Sequence, residues 1–421
     1  MYTQPNFALS KRCFYKQNLV FHSASKSKVK IFCFPFSSSP VAFVPDAVIT
    51  LEMPEKYSEC TVLDVFEDKV LVSCSAVNIE PTLALYTIPQ NLNQSDIKGD
   101  FTILDQGKTH NDMNVEFIDF GIDADSNLLN PDDTLSWPWQ GVYISHKNEN
   151  PVILPKGQTP PKNKIILRPH GGPHAIVPAN FNLEIALCAK LGYSQMIVNY
   201  RGSLGFGRSG IRTLPGNCGK NDINDCLEAL KFCHQYKNCD PEKSFITGGS
   251  HGGYITCLMV GKFPDLFKAA ATRNPVTNLA TELGTTDIPD WVKYELEGDK
   301  INTVLEKILS LPENAEKQIS DFCHPGKFTP ETYKQAFENS PMFHVNKCKT
   351  PVLLQIGKHD IRVPESQGIS FYRALKGNNC ETLLSYYKND CHPLGGVCTQ
   401  IDVRAVLRTS QHIRRRDVDV T

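Results

Sequence analysis

Apolar positions along the chain fall into two textures. From about Phe14 to Ser145 they come in short β-branched or aromatic runs, among them Leu19 to Phe21, Val29 to Phe32, Val62 to Val65, Val70 to Val72 and Leu83 to Tyr86. Each run is bounded by Ser, Asn, Asp, Pro or Gly, the pattern of short antiparallel strands joined by turns. At about 40 to 45 residues and four strands per blade, this stretch has room for about three propeller blades, too few to close a ring. Residues 151–163 then shift to Pro, Lys, Gly and Thr and read as a linker. Beyond them strands expected at 164–167, 195–199, 244–247, 268–271, 352–356 and 382–386 alternate with helices expected at 183–191, 221–236 and 365–376. Ile223, Cys226, Leu227 and Leu230 fall at i, i+3, i+4 and i+7, one face of a helix. Such alternation predicts a mainly parallel sheet covered on both faces. The expected organisation is an all-β, partial and truncated β-propeller over 1–150, a linker over 151–163, and an α/β domain with a mainly parallel sheet over 164–421.

The strongest chemical signal is Gly248-Gly249-Ser250-His251-Gly252, a G-x-S-x-G between an expected strand and an apolar helical run. A strand-to-helix turn this sharp crowds the backbone around the serine, and glycines two residues either side let it form while the hydroxyl stands up from the sheet. A serine hydroxyl attacks only when a base takes its proton, and that base needs an acid to fix its tautomer. On this scaffold the order is Ser, then Asp or Glu, then His. Asp360 follows the expected strand 352–356, where sites on such sheets collect, with His359 as its rival. His392 lies on the loop after the next strand and is the expected base. The second amide of an oxyanion hole is expected from Gly172 in the loop His170-Gly-Gly-Pro-His174, the first from His251.

Composition narrows the alternatives. The 421 residues allow two to three domains, and 44 Lys+Arg against 45 Asp+Glu give a net charge of -1, so nothing draws the chain to nucleic acid or anionic lipid. Apolar residues at 41% and charged ones at 21% are globular values. No apolar run is long enough to span a bilayer, and Met1 to Val20 carries no signal-peptide pattern, so neither membrane insertion nor secretion is expected. The 15 cysteines show no C-x-x-C pair or zinc-finger spacing, which predicts free thiols in a reducing, cytoplasmic compartment and no metal site. Cys391 beside His392 is a poor nucleophile candidate, because chain neighbours seldom face one another. Gly205-Phe-Gly207-Arg-Ser-Gly210 matches G-x-G-x-x-G but does not turn directly from strand to helix, so no nicotinamide or flavin cofactor is expected there; it reads as a loop shaping the site.

His170-Gly-Gly-Pro-His174, Asn199 to Gly207, Gly248 to Gly253, Arg273-Asn-Pro-Val276, Thr286 to Trp291 and His359 to Pro364 together resemble the prolyl oligopeptidase family of serine peptidases, over about Lys164 to Gly395. The resemblance implies an α/β-hydrolase domain joined to a β-propeller that admits only short peptides, with Ser250, Asp360 and His392 as the triad. Within the family it points to members that release an N-acylated residue from a blocked peptide, so short N-acylated peptides are the expected partners. That family's propeller has about seven blades, so the strand-rich half is expected to match only its last part. The region from Glu295 to Phe337 looks extended, and the tail 410–421 with Arg414, Arg415 and Arg416 has no counterpart. Two other readings follow from the open strand-rich half: a carboxylesterase with a wide entrance, or a non-catalytic chain, a homo-oligomer included, that associates through unpaired strand edges.

Overall fold

The computed structural model describes residues 9–35, 48–92, 94–121, 137–147, 162–298 and 329–396. The expected linker up to residue 161, most of the extended region 295–337 and the tail 410–421 lie outside them. Two sheets organise the chain.

The first is built from antiparallel meanders. Strands β1 (Phe14–Tyr15), β2 (Asn18–Ser25), β3 (Lys28–Pro35) and β4 (Ile49–Glu52) form one four-stranded group. Strands β5 (Glu59–Phe66), β6 (Lys69–Ala76), β7 (Ile79–Thr87) and, beyond the short β8 (Asp96–Lys98), β9 (Asp100–Asp105) form a second. The groups meet through one parallel pair, Val29 with Glu59, and through β4 alongside β8. Alternation along β6 buries Val70, Val72 and Cys74 on one face, where Ile31, Leu51 and Tyr86 join them in a core of their own.

The second sheet has the order β10-β11-β13-β12-β14-β15-β16-β17. It contains β10 (Met113–Phe120), β11 (Trp139–His146), β12 (Asn163–Pro169), β13 (Tyr193–Asn199), β14 (Cys239–Gly249), β15 (Ala269–Arg273), β16 (Val352–Gly357) and β17 (Thr382–Tyr387). From β13 to β17 every neighbouring pair is parallel. Here the structure departs from the expected ranges. β10 and β11, which the pattern assigned to the strand-rich half before residue 150, pair antiparallel with each other and, through β11, with β13. Two four-stranded groups, not three, therefore precede the α/β sheet among the described residues. β11 is buried almost throughout because it runs inside a sheet covered on both faces, not along a half-exposed meander.

Helices α1 (Leu183–Lys190), α2 (Gly207–Arg212), α3 (Asn221–Tyr236) and α4 (His251–Lys262) alternate with these strands. Asn182 starts α1 by accepting the amides of Glu184 and Ile185 at 2.9 and 3.2 Å. The two-residue period of β13 places Ile197 against α1 and Met196 and Val198 in the core with α3, so the helices cover opposite faces. Further helices α5 (Leu279–Glu282), α6 (Pro289–Glu297), α7 (Pro330–Glu338) and α8 (Pro341–His344) lie between β15 and β16, and α9 (Glu365–Gly377) between β16 and β17. Among the described residues no helix is long and apolar enough to cross a membrane.

The turn between β2 and β3 docks the two sheets. Ser27, fully buried at its tip, donates its amide to Gln140 Oε1 at 3.1 Å, accepts the amide of Ala179 at 2.9 Å, and takes Asn199 Nδ2 on its hydroxyl at 2.8 Å. The amide of Lys26 donates to the carbonyl of Gly205 at 3.0 Å. Gly205 sits at φ +89°, and a Cβ there would stand 2.8 Å from the carbonyl oxygen of Lys26. The glycine-rich loop 205–210 thus has a packing reason for its first glycine. Gly205→Ala is expected to lower stability by about 1–3 kcal/mol in urea unfolding and to remove hydrogen-exchange protection from the Lys26 amide. Unchanged stability and protection would show that the turn does not depend on this approach.

Candidate active site

Strand order reverses direction on either side of β12: the chain passes outward to β13 and then returns across β12 to β14. The loops after β12 and β14 diverge there, the crevice where open α/β sheets place their ligands. The β12 loop carries Gly171 and Gly172; the turn after β14 carries Ser250.

Ser250 lies between β14 and α4 with φ +57° and ψ -123°, a backbone conformation that side-chain-bearing residues rarely adopt. The flanking glycines make it possible by close approach. A Cβ on Gly248 would stand 2.3 Å from the carbonyl oxygen of Gly252, and one on Gly252 would stand 2.4 Å from that of Pro169. The amide of Ser250 is anchored to Arg273 O at 2.9 Å. Its side chain makes no cap to α4, whose first amides have no intrahelical acceptors, and the His251 amide is the first of them. Gly172, at φ +130°, lines a cavity of about 510 Å³ together with Ser250 and His392.

His392 and Asp360 are brought together across 32 residues. His392 Nδ1 stands 2.6 Å from Asp360 Oδ2, and the Asp360 side chain is fully buried while that of His392 is 28% exposed. The other Asp360 oxygen accepts the amides of Arg362 and Val363, both at 2.9 Å, which fixes the carboxylate's orientation. His359, its rival in the sequence, is exposed. Cys391 is exposed as well, and the thirteen described cysteines are free thiols.

Several supporting residues take roles that the sequence did not assign to them. Asn274 ties three segments: its Nδ2 donates to the carbonyl of His392 at 2.9 Å, its Oδ1 accepts the amide of Gly357 at 2.8 Å, and its own amide donates to Gln355 O at 2.9 Å. Asp390 gathers the amides of Cys391, Gly395 and Gly396 under the His392 loop. His170 stacks on Tyr200 at 4.3 Å and binds Ser203 Oγ through Nε2 at 2.8 Å, while Tyr200 donates to the His170 carbonyl, so the loop bearing Gly172 is held from below. Burial pushes the His170 ring down to about 4, leaving it neutral at pH 7. Behind the turn, His251 Nε2 meets Asp222 Oδ2 at 3.0 Å and Cys218 Sγ donates to Glu295 Oε2 at 3.1 Å. Donor atoms of Cys218, Asp222 and His251 lie within 4.8 Å of one another, a hydrogen-bonded cluster under the site.

Charges around the cavity are mostly paired. Burial opposes ionisation of Glu184, yet Arg168 at 2.8 Å and Arg273 at 3.3 Å hold its carboxyl down to about 2. Arg362 binds Asp287 through Nε at 2.7 Å and Nη2 at 3.2 Å. Glu282, at 1% exposure, is the exception: burial, with the Asp360 and Asp287 carboxylates, pushes it up to about 8.

These elements, in this order around this cavity, define a class. The chain belongs to the prolyl oligopeptidase family, whose profile matches residues 179–311 and 315–409, more than half of its length. It is 36% identical over 257 residues to an acylamino-acid-releasing enzyme of Arabidopsis thaliana, covering 61% of this chain and 30% of that protein. To the acylamino-acid-releasing enzyme of Homo sapiens it is 30% identical over 401 residues, covering 94% of this chain and 49% of that protein. The uncomplexed acylaminoacyl peptidase of Pyrococcus horikoshii shares the fold with a TM-score of 0.66 at 20% identity, over 94% of this chain and 54% of that one. A Mycobacterium tuberculosis puromycin-hydrolyzing peptidase does so with a TM-score of 0.68 at 18% identity, over 94% of this chain and 51% of that one. The chain spans about half the length, or less, of the curated relatives it matches.

Glu282 generates a stability prediction. Its folded-state pKa lies above that of an unfolded glutamate, so between about pH 4.5 and 8 the native state holds a proton the unfolded chain has released, and stability falls as pH rises through that window. Glu282→Gln is expected to flatten the decline by up to roughly 1 kcal/mol per pH unit. Thermal unfolding of both proteins from pH 5 to 8.5 measures it; parallel curves would place the carboxyl in water.

Proposed function

We propose that this chain is a serine peptidase that releases an N-acylated residue, such as an N-acetylated amino acid, from short blocked peptides. The observation that carries the reading is the 2.6 Å contact of His392 Nδ1 with buried Asp360, on a cavity that also holds Ser250 at its strained turn. With Nδ1–H donating to the Asp360 carboxylate, Nε2 is the atom of the ring left to act as base. In the proposed reaction Ser250 Oγ attacks the carbonyl carbon of the acylated residue while His392 Nε2 takes the hydroxyl proton. The amides of His251 and Gly172 hold the oxyanion. As the C–N bond breaks, His392 returns the proton to the leaving amine, leaving an acyl-enzyme. Water, deprotonated by the same base, then frees the acylated residue and restores Ser250.

The relatives named above support the substrate class. Net charge near zero argues against nucleic acid as a partner. The free thiols suit a reducing, cytoplasmic setting. Exposed Ile103 and Leu104 on β9, at an end of the first sheet, support self-association.

The purified chain is expected to hydrolyse acetyl-alanyl p-nitroanilide faster than alanyl p-nitroanilide and faster than a short-chain ester. An ester preference would instead favour the carboxylesterase reading. Ser250→Ala is expected to abolish both turnover and labelling by an organophosphonate; undiminished labelling would mean another nucleophile. Asp360→Asn is expected to reduce kcat about 10⁴-fold with an unchanged circular dichroism spectrum, because an amide favours the wrong imidazole tautomer. An equal loss from His359→Ala, with Asp360→Asn active, would reverse the assignment.

A further inference from the structure

One group lining the active-site cavity takes no part in the proposed chemistry. Glu282 closes the short helix α5, is 1% exposed, and its Oε2 has no hydrogen-bond partner among the described residues. Apolar Val276, Ile288, Trp291 and Val363 share the same wall. The other charged or titratable side chains lining this cavity, among the described residues, have partners: His392 with Asp360, His170 with Ser203, Arg362 with Asp287, and Arg273 with Glu184. Buried carboxyls are ordinarily paired or hydrogen-bonded, and this one, unpaired, belongs to a residue that lines the cavity a substrate fills.

We propose that Glu282 is a specificity residue that receives a primary ammonium group of the substrate, so that the cavity prefers peptides carrying an ammonium beside the scissile bond to their neutral isosteres. The inference rests on the hydrolase reading above. A cation, not a neutral donor, is favoured because the carboxylates of Asp360 and Asp287 act on the same spot and draw positive charge to it. A compact ammonium on an apolar stem suits a single unpartnered acceptor bordered by apolar side chains, whereas a guanidinium brings five donors that need more acceptors. The same carboxylates, after burial, lift Glu282 to about 8, so without substrate it holds a proton near neutrality and releases it when a cation binds. For a lysine ammonium, selectivity therefore rises with pH through about 8 and falls as that group loses its proton at about 10.4, whereas for an α-amino group, which loses its proton at about 8, it falls already there. Comparing two substrates of one enzyme cancels any pH dependence that both share.

Two sources can supply the ammonium, a lysine side chain or a free α-amino group, and paired substrates separate them. The ratio of kcat/KM for acetyl-lysyl over acetyl-norleucyl p-nitroanilide reports the side chain; the ratio for alanyl over acetyl-alanyl p-nitroanilide reports the α-amino group. At least one ratio is expected to fall about tenfold or more in both Glu282→Gln and Glu282→Met, with Glu282→Asp retaining part of it. If neither ratio moves in a variant whose circular dichroism matches the wild type, the proposal is overturned. Binding to the full chain carrying Ser250→Ala keeps the test independent of turnover: calorimetry should show acetyl-lysine amide bound more tightly than acetyl-norleucine amide. That preference should vanish when Glu282→Gln is added. A chain inactive on every substrate would defeat the hydrolase reading alone, whereas equal affinities within the amide pair, with neither ratio moved, would defeat the role of Glu282.

Discussion

The backbone of Ser250, held at φ +57° and ψ -123°, is the constraint on which the rest of the site depends. Such a conformation persists only where its surroundings over-determine it. Here the surroundings are β14, α4 and β12, packed so closely that Gly248 touches the carbonyl of Gly252 and Gly252 touches that of Pro169. The approach joins the nucleophile turn to the end of β12, from which the loop bearing Gly172 departs. One packing event therefore sets both the hydroxyl and the second candidate oxyanion amide. Arg273 at the end of β15 anchors the Ser250 amide, and its neighbour Asn274 reaches the carbonyl of His392 and the amide of Gly357. The geometry of the strand ends thus passes from β12 to β17 without a break.

The strand-rich half enters this arrangement through the turn that carries Ser27. Ser27 contributes a buried amide, carbonyl and hydroxyl, each met by a different segment of the α/β unit. One of those partners, Asn199, also binds the amide and carbonyl of Val177, whose side chain lines the cavity. Docking of the first sheet and the shape of the cavity wall therefore share a side chain. The loop at Gly205 belongs to the same contact, which explains a glycine that a dinucleotide-binding reading would assign to phosphate.

What the sequence made legible was local. The helix 221–236 was visible because its apolar positions keep one period throughout, and the places of Ser250 before a helix and of Asp360 and His392 after strands because each lies in a short turn that a few neighbours define. β10 and β11 were misplaced because their apolar alternation resembles that of the meander strands; only β13, some 50 residues on, decides which sheet they join. Asn274, Asp390 and Glu282 were missed for a related reason. Their roles come from groups far along the chain, and an Asn, Asp or Glu in a loop or short helix has no pattern that separates a structural clamp from a solvated surface residue.

The electrostatics of the cavity connects these levels. In the proposed reaction the Asp360 carboxylate receives the imidazolium that forms on His392, and the same charge, after burial, helps keep Glu282 protonated. Interaction between charges is reciprocal, so an ionised Glu282 would set a second negative charge against that of Asp360. Arg362 cannot offset this, since its guanidinium is committed to Asp287 and its amide to Asp360. A cation brought by the substrate would neutralise Glu282 as its proton leaves. The carboxyl without a partner is thus tolerable in the empty site only as the neutral acid, and in the filled site only as half of an ion pair.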